Sequence, residues 1–169
     1  QEKIESYRKT VITPLARLLV YSTHELENDF HFTRPDNTEK LTNVLREINN
    51  HYPHIKTQIQ EALTEATSKF KAEDKIKIYI LPYPDTPYNT DFMQGTAGFS
   101  MGASKNILLF VDPFNYTNES LKALTVHEYH HTALLMSESY KIMNWSLLDS
   151  VLLEGKAEIF TRIIYPSYE

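Results

Sequence analysis

The segment Thr125-Val126-His127-Glu128-Tyr129-His130-His131-Thr132-Ala133 carries an H-E-x-x-H pattern inside a helix read from Glu119 to about Leu135, with Thr117 or Asn118 as its cap. Helical residues four apart share a face, so His127 and His131 project side by side. Two imidazoles on successive turns can reach one divalent ion at ~2.0–2.1 Å. Glu128 follows the first histidine and is turned about 100° around the helix. Its carboxylate is thereby aimed at a water on such an ion rather than at the ion itself. An ion of this kind lowers the pKa of water toward about 7, and Glu128 is placed to take the proton as general base. His130 lies one turn from His127 and competes with His131 as ligand; the i, i+4 geometry favours His131. On the pentad alone, histidines that are merely surface residues or core hydrogen-bonders stay an open alternative.

Downstream, Ser146 caps a second helix, Leu147 to about Tyr165, containing Leu153-Glu154-Gly155-Lys156-Ala157-Glu158. Glu154 and Glu158 share a face. Leu147, Leu148, Val151, Leu152, Leu153, Ile159 and Phe160 predict that most of this helix is buried, where two carboxylates are costly unless a cation or hydrogen bonds compensate them. Glu154 is then the third ligand of a His2Glu centre with a fourth position open. Glu158 is placed to accept the ring N–H of His127 and so fix its tautomer. Gly155 costs about 1 kcal/mol in a helix relative to Ala, which predicts close approach of the two helices. In the alternative reading both glutamates line a solvated stripe, with Arg162 pairing with Glu158.

Upstream of the pentad, Lys75–Leu81 alternates with period two and reads as a strand ended by Pro82, Pro84 and Pro87. Three of the four glycines fall in Gln94–Gly102. Asn106–Val111 is a further strand, and a turn between Gly102 and Lys105 joins it to 95–101 as a hairpin. The first third is helical. Ile4–Leu19 is amphipathic and kinked or split by Pro14. Asn37-Thr38-Glu39 opens a helix to about Asn50, with Thr38 as cap and Leu41, Leu45 and Ile48 as its stripe. Pro53 opens another, to about Lys71, which buries Ile55, Ile59, Leu63, Ala66 and Phe70. Helices, a small sheet, then two helices make an α+β domain. The reading is one domain over 1–169, helical over 1–72, with the sheet and the metal-bearing helices over 73–169.

The 169 residues are 41% hydrophobic and 23% charged, which fits a globular chain long enough for its own core. The net charge of −5 argues against nucleic acid, which normally calls for a concentrated basic face, and no apolar run reaches the roughly 18 residues of a membrane span. With no cysteine, any metal must be held by histidine and carboxylate. A start at Gln1 rather than Met implies that an upstream segment lies outside this sequence. The compartment stays open, with the cytoplasm weakly favoured over export, as does a further C-terminal segment.

His127, Glu128, His131 and Glu154 resemble the signature of the gluzincin group of zinc metallopeptidases, which pair an HExxH helix with a glutamate ligand from a later helix. Glu154-Gly155-x-Ala157 is similar to the third-ligand segment of the aminopeptidase branch, although the gap from His131 is a few residues longer here. The stretch from Gly95 through Phe160 most resembles the bacterial YjaZ-type family of predicted zinc-dependent proteases. The resemblance implies a zincin-like fold with a small, mostly antiparallel sheet, one Zn2+ ion and hydrolysis of a peptide or protein substrate. It also implies that Gly95, Thr96, Ala97 and Gly98 form a cleft-edge strand that pairs with substrate. The bland alternative, glycines serving only turns and a bulge, stays open. His130 and Tyr140 are the candidates for stabilising an oxyanion. The alternative functions are a non-peptidase metal-dependent hydrolase and a catalytically silent, metal-stabilised binding module.

Overall fold

The computed structural model describes residues 2–19, 21–28, 38–83, 94–101, 105–137 and 146–168. The chain falls into two compact units, Gln1–Thr38 and Glu39–Glu169. The helical part read over 1–72 is therefore shared between them.

In the first unit, α1 (Glu2–Tyr7) runs through a π-type turn (Arg8–Ile12) into α2 (Thr13–Leu19), and α3 (Thr23–Asn28) follows. The expected kink or split at Pro14 takes the form of this π turn. A proline ring crowds the carbonyl four residues back, here that of Thr10, and the wider turn makes room for it. Ile12, Ala16 and Leu26 are buried, and Arg8 donates to both carboxylate oxygens of Glu27 at 2.7 and 3.0 Å.

α4 is one helix of 32 residues over Thr38–Lys69 with Pro53 inside it, and from Glu39 on it belongs to the second unit. The two helices expected on either side of Pro53 are thus continuous. Ile48, Ile55, Ile59, Ala62 and Ala66 are buried along one face at spacings of seven, four, three and four. That phase runs unbroken past the proline, so packing overrides the local cost. The side chain of Thr38, the expected cap, lies outside the described residues.

Three strands follow: β1 (Lys77–Pro82), β2 (Thr96–Met101) and β3 (Asn106–Val111), in the order β1-β3-β2. β1 is parallel to β3, with Lys77 opposite Asn106, and β2 is antiparallel to β3, with Gly98 opposite Leu109. The sheet is mixed, not mostly antiparallel, because β1 is not hairpin-linked to its neighbour and joins β3 from the other side. The expected turn falls largely on residues 102–104, outside the described residues. Ile107, Leu108, Leu109 and Val111 are fully buried, as a central strand covered on both faces must be.

α5 (Asn118–Met136) lies against β2, β3 and α6 (Leu147–Ile164). The Thr117 side chain accepts from the Ser120 backbone N–H at 3.0 Å, while Ser120 Oγ accepts from that of Thr117 at 3.0 Å. Ser146 and Asp149 cap α6 in the same reciprocal way. Leu121, Val126, Tyr129 and Ala133 of α5 join Ile55, Ile59, Ile107 and Leu109 in one core cluster. α6 departs most from expectation. Only Leu153, Ala157 and Thr161 are buried. Leu147, Leu148, Val151, Leu152, Ile159 and Ile163 are exposed.

Candidate metal centre

α5 is buried on nearly every side, and this holds the pentad rigidly. Tyr129, within it, donates its hydroxyl to the Phe70 carbonyl at 2.7 Å and accepts from the Ala72 N–H at 2.9 Å. The centre of α5 is thereby fastened to the C-terminal end of α4. Lys122 adds an ion pair with Glu61 of α4 at 2.6 Å.

His127 and His131 stand one turn apart with Nε2 atoms 3.0 Å from each other. Glu154 reaches across from α6, its Oε2 lying 3.2 Å from His127 Nε2 and 3.3 Å from His131 Nε2. Three ligand atoms held at ~2.0–2.1 Å by a tetrahedral ion lie roughly 3.3 Å from one another, and the observed triangle of 3.0, 3.2 and 3.3 Å fits this. These residues form a candidate metal site. The site is lopsided, since the side chain of His131 is 7% exposed and that of Glu154 is 64% exposed. Glu154 therefore carries little burial cost of its own, and the case for a cation rests on the convergence of the three atoms.

Glu128, next to the first histidine in the chain, packs its side chain against β2 at Gly98. It is 7% exposed, and burial pushes its carboxyl up to about 7; a hydrogen bond from Ser100 opposes the shift and the charge of Glu154 adds to it. Burial likewise pushes His130 down to about 4, with further lowering from His131, His127 and Lys156.

The remaining predicted residues fall as follows. His130 packs its ring against Phe70 and Phe160, with centroids 5.8 and 5.0 Å away, and lies outside the ligand triangle. Tyr140 is outside the described residues. Glu158 accepts from Arg162 Nε at 2.8 Å rather than from His127, since the arginine lies one turn along the same exposed side. Gly155 has nothing within 4 Å of where a Cβ would be, so it does not serve close approach of the helices. Buried Leu153 and Ala157 lie on either side of it in the chain. Gly95, Thr96, Ala97 and Gly98 lie at the start of β2, whose outer edge pairs with no strand among the described residues. Gly95 answers a backbone need: its φ is +70°, and a Cβ there would lie 2.6 Å from Asn115 C and Tyr116 N. Sequence reasoning missed Ser100 and Tyr129. The period-two spacing of Ser100 from Gly98 was the available signal for the first.

An α+β chain that brings His127, His131 and Glu154 to one point belongs, by fold and site, among proteins with a candidate His2Glu metal centre. Residues 55–169 match the family DUF2268, described as a predicted Zn-dependent protease, and the chain belongs to that family. No curated protein and no solved structure matches it. Among the described residues no helix is long and apolar enough to cross a membrane.

Proposed function

We propose that the protein is a zinc-dependent metallopeptidase of the gluzincin type, nearest to the YjaZ-type proteases, with one Zn2+ held by His127, His131 and Glu154. The observation that carries this is the convergence of the three ligand atoms, 3.0–3.3 Å apart, beside a buried carboxylate. When bound, zinc supplies a Lewis acid that acidifies water and polarises a carbonyl. The chain's own groups do the rest. Glu128 takes the proton from the attacking water and passes it to the leaving amine. Burial suits it to this, because a carboxylate short of water is a stronger base than a solvated one. The outer edge of β2 offers backbone N–H and C=O groups to an extended peptide, which favours a peptide substrate over a small amide or ester.

The test is zinc content together with turnover of a quenched peptide library, with and without chelator. Wild type should bind zinc and cleave; Glu128→Gln should keep the zinc and lose at least ~100-fold in turnover. His131→Ala and Glu154→Ala should each lose zinc. Full turnover by Glu128→Gln, or full zinc retention by both ligand variants, would sink the reading.

A further inference from the structure

Thr96, Gly98 and Ser100 alternate onto one face of β2, and Gly98 and Ser100 both meet Glu128 there. We propose that Gly98 and Ser100 form a slot that positions the Glu128 carboxylate, Gly98 by giving it room and Ser100 by donating a hydrogen bond to it. For its catalytic meaning this rests on the peptidase reading above; its geometry does not. A Cβ at Gly98 would lie 2.4 Å from Glu128 Cγ, 2.5 Å from Oε1 and 2.7 Å from Cδ. Contacts this short are not tolerated, and the atoms met include the middle of the side chain, so a small swing of the carboxylate would not clear them.

Gly95, by contrast, is the one glycine among the described residues with positive φ. The backbone at Gly98 does not itself require glycine, and what requires it is the volume of Glu128. This differs from both roles expected of the segment, close approach of a peptide and a turn or bulge. A glutamate has three rotatable bonds. Closing β2 over it on one side and tying it to Ser100 removes most of that freedom before substrate arrives, and such preorganisation is what a base needs. Ser100 is a positioning residue, acting through Glu128.

A double-mutant cycle on the full chain reads the slot without relying on activity. Gly98→Ala should lower the melting temperature by roughly 3–8 °C when Glu128 is present, as overpacking does. In a Glu128→Ala background it should cost nothing, because the atoms it strikes are gone. Should Gly98→Ala fail to fold beside Glu128, its folding in the Glu128→Ala background is the same result in stronger form. Equal losses in both backgrounds would overturn the slot. In zinc-loaded protein, Ser100→Ala should lower kcat about 10-fold, as loss of a hydrogen bond to a charged group does. KM and zinc content should stay unchanged, and Ser100→Thr should restore the rate. Unaltered kcat in Ser100→Ala would remove Ser100 from the proposal. If zinc-loaded wild type cleaves no peptide, the peptidase reading fails, and the melting cycle still decides the slot.

Discussion

Two residues beside the candidate ligand Glu154 behave differently from what their place in the chain suggests. Gly155 is exposed and surrounded by open space, so its conformational freedom costs stability with no packing return. Gly155→Ala should stabilise the protein by up to ~1 kcal/mol, a rise of about 2–4 °C for a chain of this size. A fall in melting temperature would reveal a close neighbour at that position. Glu158 is engaged by Arg162. Glu158→Gln should therefore leave zinc retention within about twofold of wild type, measured by competition with a chromophoric chelator, while Glu154→Gln loses it sharply. A loss of 10–100-fold in Glu158→Gln, the usual effect of removing a ligand's outer support, would return Glu158 to His127.

At the level of elements, α6 shows what a sequence pattern can and cannot tell. Its apolar residues mark a helix, and Ser146 and Asp149 mark its start. Both were legible because helix period and capping are local chemistry. Which side would be covered was not legible, since a helix apolar on most of its circumference does not say where its neighbours lie. The exposed residues Leu148 and Ile163, at 65% and 62%, are already in water. Leu148→Gln with Ile163→Gln should shift the melting temperature by less than about 2 °C. Leu153→Ala, on the buried side, should cost about 2–4 kcal/mol. A large loss from the outer pair would mean that those side chains are covered in solution. The long α4 teaches the converse. Pro53 is a strong local breaker, yet the buried isoleucines at 48, 55 and 59 keep phase across it. That phase was present in the sequence but was outweighed by the proline. The spacing of His127 and His131 was legible for the same local reason. The pairing of Ser100 with Glu128 was not, because it joins residues 28 positions apart and needs the β2 face to be known.

Across the whole molecule, the core of the second unit is assembled from α4, β3 and α5, all fixed by many buried side chains. α6 is held by fewer, with Leu153, Ala157 and Thr161 as its buried residues. Yet α6 supplies Glu154, whose partners His127 and His131 belong to the rigid α5. A zinc ion shared by the three would close the chain between residues 131 and 154 into a loop, and a clip of that kind removes open states of the segment it closes. The candidate metal centre would then act as a fastener as well as a reaction site. Chelation should speed amide hydrogen exchange across Leu147–Ile164, while exchange in β3 and the 55–66 stretch of α4 stays slow. Equal protection of α6 with and without zinc would show that its few buried contacts hold it unaided. Local opening of one helix would then be governed by zinc supply, so that protein short of the metal would keep an intact core while α6 loosens and becomes open to proteolytic cleavage within Leu147–Ile164.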